Sequence, residues 1–451
     1  MSKFKHSTYH IITDNITDET DPKLLLYSTK TNEVIIITKK LYRNFIANNF
    51  STFSSKELLK FLEMRLIIPY EENELDEILK ENTILVNNTK VLYHVIQPTA
   101  NCQLGCHYCG QEHSNKKITT SMYSSIIQRI EEKIISNKNY KALSITWYGA
   151  EPLMAMQQIK DLTPKLIQLA NKYNLKYTHD MITNGLLLKE KYFKELVDDY
   201  DIETFQITID GLEEYHDKRR MTKKNTPTFK VIMNNIKMMV NHPSYKNNMI
   251  GLRINIDTTN QDSVIPLLDY LQNINIIDKI VVSFSPIVDW GGNNASKDSL
   301  TNESFANKEI DWKLELIKRN STVSSLIPER TGATCMVETR DAEVYDAFGN
   351  IFACYEMPYT PAYENSEYIE GVLGSKNKIN KDNPLRNWSK YVRNGIDNNC
   401  ASCKFYPVCG GGCPKTWIVE KKSSCPSFKY NMEDRLVLQY LINKSDIKSI
   451  I

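Results

Sequence analysis

From residue 91 onward, short apolar runs alternate with longer stretches in which apolar positions recur every three or four residues. The short runs predict strands over 91–96, 143–147, 177–182, 204–209, 252–256 and 279–284. The longer stretches predict amphipathic helices over 121–135, 159–173, 190–198, 228–240 and 263–271. Six strand–helix repeats imply a parallel sheet with helical crossovers. Periodicity alone leaves a full barrel, a partial (β/α)6 barrel and a doubly wound sheet open. In each of them the chemistry sits at the C-terminal ends of the strands.

The first 90 residues carry a different pattern and no cysteine. Strands are predicted over 8–13, 23–28 and 34–38, the last two joined by a turn at Lys30-Thr31-Asn32. Helical periodicity follows over 41–47, 54–64 and 72–80, with Ser54 or Ser55 as N-cap of the second. A few strands and then helices describe a small winged-helix-like unit, either a packing cap or a binding module. The predicted organisation is therefore 1–90, then 91–320, then 321–451.

Composition narrows the classes. A chain of 451 residues is long for one domain, and 41% hydrophobic with 24% charged residues is ordinary for a globular protein. A net charge of +2 gives no reason to expect nucleic acid or a membrane surface as partner. The segment MSKFKHSTYHIITDN has no apolar core, and no later run is long enough to span a bilayer, so a cytoplasmic location is expected. In a reducing compartment, ten cysteines point to metal ligands rather than disulfides.

The cysteines fall in two groups. After strand 91–96 the chain breaks at Pro98 and presents Cys102, Cys106 and Cys109, spaced CxxxCxxC, with Gly105 permitting the loop to fold back. Three thiolates are one short of the four that a [4Fe–4S] cube usually takes, which leaves one iron for another ligand. A zinc loop or buried thiols is the alternative. Further polar motifs stand at the strand ends: Trp147-Tyr148-Gly149-Ala150-Glu151-Pro152, Thr183-Asn184-Gly185, Thr208-Ile209-Asp210-Gly211 with His216 to Arg220, and Asn255 to Asp257 with Asn260. The second cysteine group is Cys335 and Cys354 flanking Gly349, then Cys400-x2-Cys403-x5-Cys409-x3-Cys413, then Cys425. A zinc ribbon would use such pairs, but seven ligands in this order do not suit one tetrahedral site.

In this order, the motifs from 92 to about 290 resemble the core of the radical S-adenosylmethionine (radical SAM) enzymes, which implies a partial (β/α)6 barrel. The resemblance implies that Cys102, Cys106 and Cys109 hold a [4Fe–4S] cluster whose free iron chelates SAM, with Tyr108 beside it. It further implies that Gly149, Ala150, Glu151 and Pro152 hold the SAM amino group and that Thr208 contacts ribose and carboxylate. Arg220 would pair with the carboxylate, and Asn184, Asp210 and Asn255 would complete the pocket. Chemically this is sensible, since SAM presents a carboxylate, an ammonium and a sulfonium. Ala150 replaces a family glycine, and Gly110 replaces a common aromatic, which predicts extra room beside the cluster.

The C-terminal third resembles the SPASM domain. That implies two auxiliary [4Fe–4S] clusters, one on Cys400, Cys403, Cys409 and Cys425, and a nearer one on Cys335, Cys354 and Cys413 with an open iron or a non-cysteine ligand. Together these resemblances imply three clusters, SAM, and a reductant such as flavodoxin or ferredoxin. They also imply a precursor peptide as substrate, cross-linked through C–S or C–C bonds and held by its leader on the N-terminal unit. A sulfatase maturase that makes formylglycine is the alternative enzyme. Those enzymes carry an Asp base after the cysteine matching Cys354, where this chain has Tyr355 and Glu356. A non-catalytic iron–sulfur electron carrier is the alternative outside enzymes.

Overall fold

The computed structural model describes residues 3–17, 20–291, 293–339, 341–364, 367–375, 380, 383–390, 392 and 399–448. Strands β1 (Phe4–His6), β2 (His10–Ile12), β3 (Lys23–Ser28) and β4 (Val34–Thr38) lead into helices α1 (Lys39–Ile46) and α2 (Ser55–Glu63). Strand β5 (Ile67–Pro69) and helix α3 (Glu74–Asn87) follow. Strands β2, β3 and β4 form an antiparallel sheet in that order, and β1 pairs separately with β5. Ser54 caps α2 in a capping box with Glu57, as its S-x-x-E spacing predicts.

Each face of the small sheet has its own partner. Leu24, Leu26 and Ile37 face α1 and α2, around Phe45 and Phe61. Ile11, Leu25 and Tyr27 face the other way and pack on Phe405, Val408, Met432 and Leu436 from the C-terminal third. Thr29 Oγ1 donates to Lys404 O at 2.8 Å across this contact. The N-terminal unit is thus packed on the C-terminal cysteine loop.

The central sheet begins at β6 (Val91–Ile96) and continues through β7 (Ala142–Trp147), β8 (Lys176–Thr183), β9 (Thr204–Thr208), β10 (Ile250–Ile256) and β11 (Val281–Pro286). These six run parallel, in sequence order across the sheet. Helices α4 (Thr120–Ser136), α5 (Met156–Lys172), α6 (Glu190–Lys194), α7 (Glu213–Arg219), α8 (Phe229–Val240), α9 (Val264–Asn273) and α10 (Asn302–Lys318) accompany them. Their apolar faces and the outward sides of the strands form one large core. The inward positions stay polar: on β10 Arg253 and Asn255 alternate with fully buried Leu252, Ile254 and Ile256.

Beyond β6 the sheet does not stop. Strand β12 (Glu343–Tyr345) pairs parallel with β6, and β13 (Asn350–Phe352) and β14 (Ile369–Val372) extend it antiparallel to nine strands. The β12–β13 turn is built by Asp346, whose carboxylate accepts the Phe348 and Asn350 amides, with Gly349 at φ +88°. At the β6–β12 seam, Glu343 accepts two 2.7 Å bonds from Arg129 of α4 and lies 3.0 Å from Lys133 Nζ. These two cations, acting against burial, hold its carboxyl well below the usual range, at about 2.

Glu343→Gln leaves Arg129 and Lys133 buried without their counter-charge. It should cost on the order of 3–5 kcal/mol, read as a lower denaturant midpoint. A carboxyl with a lowered folded pKa stabilises above its unfolded pKa. The gap between wild type and variant should therefore be full above pH 4.5 and close as pH falls toward 2.

Candidate active site

The loops after the parallel strands enclose a cavity of about 240 Å³. Cys102, Cys106 and Cys109 all border it. Their loop is folded back by main-chain bonds, Cys109 N to Cys106 O at 3.1 Å and Gly105 N to Met221 O at 2.9 Å. Asn184 Nδ2 and Leu104 N point at the Cys102 sulfur. Burial, then the Glu151 carboxylate and to a lesser degree the other two cysteines push the Cys102 thiol up to about 12, and burial pushes Cys106 to about 11. Thiolates here require compensating positive charge, which an iron centre supplies. The donor set therefore fits such a group.

The remaining cysteines fall in two groups in space. Cys400, Cys403, Cys409 and Cys425 line a small cavity of about 20 Å³, with Lys429 Nζ 3.3 Å from the Cys425 sulfur. Burial and then the Glu356 carboxylate push the Cys354 thiol up, and Cys335 and Cys413 lie close enough to add to the rise. Among the described residues no three Cys, His, Asp or Glu side chains close around a point as the ligands of a single ion do. The thiols of the first loop and of the Cys400–Cys425 group border cavities instead. Gly410, Gly411 and Gly412, all at positive φ, let the chain turn between these two sets, and a Cβ on Gly411 would lie 2.5 Å from the Trp388 ring.

Of the residues expected around SAM, Tyr108, Gly149, Ala150, Asn184, Thr208, Arg220 and Asn255 line the cavity. Tyr108 is the hub. Its hydroxyl donates to Asp210 Oδ2 at 2.8 Å and accepts from Asn255 Nδ2 at 3.1 Å and from Arg220. Arg220 Nε and Asp210 Oδ1 are buried without a protein partner. Arg220 lines the cavity, so its unpaired Nε is a donor that a ligand carboxylate would engage, which is the second observation in favour of the fit.

Three expectations change. Glu151 does not line the cavity: its carboxylate accepts Leu153 N at 3.0 Å, Thr183 Oγ1 at 2.7 Å and Asn184 N at 2.8 Å. It positions Asn184, and Pro152 starts a turn behind the wall, so the cavity meets only Gly149 and Ala150 of this segment. Asp210 likewise stands behind Tyr108 and holds Arg219 at 3.3 Å. Gly110 gives no extra room, because a Cβ there would lie 3.2 Å from Gly291 N, and Gly291 itself is pressed against Thr360. The space is filled by the main chain of Trp290 and Gly291.

The cavity also contains residues to which motif reading gave no role at the SAM pocket, and two, Trp290 and Thr360, that it did not single out. Tyr148 and Tyr355 meet edge to face at 5.4 Å, and Arg253, Trp290, Glu356 and Thr360 complete that wall. The alternation on β10 was a signal for Arg253; nothing local marked Trp290 or Thr360.

Residues 96–262 match the family model of the radical SAM superfamily. The chain is 24% identical over 377 residues to the serine-type anaerobic sulfatase-maturating enzyme of Bacteroides thetaiotaomicron, covering 76% of this chain and 87% of that protein. Its fold is similar to native anSMEcpe with bound AdoMet and Cp18Cys peptide, at TM-score 0.56 and 16% identity over 78% of this chain and 99% of that one. It is also similar to Streptococcus suis SuiB bound to precursor peptide SuiA, at TM-score 0.51 and 16% identity over 91% and 95% of the two chains. No helix among the described residues is long and apolar enough to cross a membrane. With three thiols at the head of the matched segment and the parallel sheet behind them, the chain carries a radical SAM domain over residues 96–262.

Proposed function

We propose that the enzyme takes a hydrogen atom from an unactivated carbon of a ribosomally made precursor peptide and forms a carbon–sulfur or carbon–carbon cross-link. The observation that supports it is the shared cavity, where the three thiols, the SAM set and groups from the C-terminal third meet. When bound, the [4Fe–4S] centre on Cys102, Cys106 and Cys109 and SAM together supply the 5′-deoxyadenosyl radical. Arg220 and Tyr108 would bind the SAM carboxylate, the Gly149–Ala150 main chain its ammonium, and Thr208 and Asn184 the ribose side, and all of them line the cavity. Tyr148, Tyr355, Trp290 and Ile287 wall the cavity and exclude water. The seven remaining cysteines would hold two auxiliary [4Fe–4S] centres, with flavodoxin or ferredoxin as the electron source.

The leader would add to the N-terminal sheet at β4. Among the described residues this strand is paired only on its β3 side, and Val34 and Ile36 are 36% and 50% exposed on it. SuiB, solved with a precursor peptide, resembles 91% of this chain, whereas anSMEcpe resembles 78%. Glu replacing both Val34 and Ile36 should raise KM for the precursor about tenfold by placing charge on an apolar strand face. Point changes serve better than deleting 1–90, which would bare Phe405, Val408, Met432 and Leu436. An unaltered KM would reduce the unit to a packing cap.

Formylglycine formation is the second reading, favoured by the sequence likeness to a sulfatase-maturating enzyme. Mass spectrometry after incubation with the Cp18Cys peptide separates the two. Aldehyde formation supports the maturase, and its absence together with a cross-link in the precursor encoded beside this gene supports the leading reading.

A further inference from the structure

The SAM set leaves two charged cavity residues without a task. Arg253, at the middle of β10, uses Nε to donate to Asn255 Oδ1 at 2.7 Å, which leaves its two amino groups free to donate elsewhere. Glu356 receives only the Tyr148 hydroxyl, at 3.3 and 3.4 Å from its two oxygens, although a carboxylate accepts up to about four bonds. Arg253 is the cation that acts most strongly on Glu356, yet among the described residues the two form no ion-pair contact. Both turn toward the same cavity, and Tyr148 and Tyr355 stand beside them.

The framework around Glu356 is fixed. Gln97, at the end of β6, donates Nε2 to Tyr355 O at 2.8 Å, and Thr360 Oγ1 donates to Glu356 O at 3.3 Å. A preset acceptor and a preset donor, apart by more than a direct bond, match a group that carries a donor and an acceptor at opposite ends. A main-chain amide is such a group. Meeting both ends of that amide also avoids leaving polar groups unpaired once the cavity is filled.

We propose that Arg253 and Glu356 clamp one peptide unit of the substrate main chain. Glu356 accepts its N–H and Arg253 donates to its C=O, which turns the neighbouring side chain toward the SAM set. This rests on the peptide-substrate reading above. SAM carries an ammonium and a carboxylate of its own, so the test must separate the two ligands.

The probes are N-acetyl-tetra-alanine amide and the analogue whose internal amides are esters, which keeps every C=O and removes the internal N–H groups. Affinities for each, and for SAM, are measured with the enzyme holding its own cofactors. Wild type should prefer the amide about tenfold, the worth of one hydrogen bond to a charged acceptor. Glu356→Ala should erase that preference, and Glu356→Gln, whose amide oxygen still accepts, should keep most of it. Arg253→Gln should weaken both probes equally, because both retain the carbonyl. SAM affinity should stay within about twofold in all three variants. A preference that survives Glu356→Ala, or SAM affinity falling in step with the probes, overturns the clamp and leaves the peptide reading standing. If wild type binds SAM and neither probe, the peptide reading itself fails.

Discussion

Replacing Cys102, Cys106 and Cys109 together by Ala should abolish reductive cleavage of SAM. The three sulfurs are the only cysteine sulfurs on the 240 Å³ cavity, and Cys102 is additionally held by Asn184, itself fixed by Glu151. With the thiols gone, the site retains Arg220 and Tyr108 but nothing that can deliver an electron to a sulfonium. The other seven cysteines gather elsewhere, so iron and sulfide should fall by one cluster's worth and not to zero. Anaerobic assay of 5′-deoxyadenosine together with iron and sulfide analysis checks both halves. Continued production of 5′-deoxyadenosine by the triple variant would overturn the assignment of this loop.

Arg220→Ala should weaken SAM binding roughly 10- to 100-fold, the worth of a charge-assisted hydrogen bond in a buried site. Two features of the geometry sharpen this expectation. Arg219 cannot take over, because its Nη1 lies 2.9 and 2.8 Å from the two oxygens of Asp257 and its Nε faces Asp210. Tyr108 loses a donor to its hydroxyl when Arg220 goes, so Tyr108→Phe should reproduce part of the loss. Equilibrium binding of SAM to the anaerobic enzyme measures both, and an unchanged affinity in Arg220→Ala would transfer the carboxylate to Arg253.

Much of this was legible in the sequence. All six parallel strands lie where apolar runs predict them, within two residues at each end, because each strand must turn an apolar side to the helices that cover it. The strand-end motifs converge on one cavity for the same reason, since parallel strands all deliver their C-termini to one side. What the sequence hides is pairing at long range. Strand β12 has three residues and no periodicity of its own, and its place beside β6 is set by Arg129 and Lys133 meeting Glu343. The misjudged room at Gly110 has the same origin: its neighbour Gly291 lies far along the chain and nothing near residue 110 announces it. Glu151 was misread at finer grain, because a motif says which residue is present and not which way its carboxylate turns.

The β6–β12 seam also governs how the molecule is made. After β6 leaves the ribosome, synthesis must continue from residue 96 to residue 343, a gap of 247 residues, before its partner exists. At about 5–20 residues per second that wait is roughly 12–50 s. Throughout it, one edge of the nascent parallel sheet offers unpaired amides and carbonyls to any passing strand. Yield in a foreign host should therefore depend on translation speed and on chaperones that shield strand edges, and truncations ending before residue 343 should aggregate even though every strand of the barrel is present.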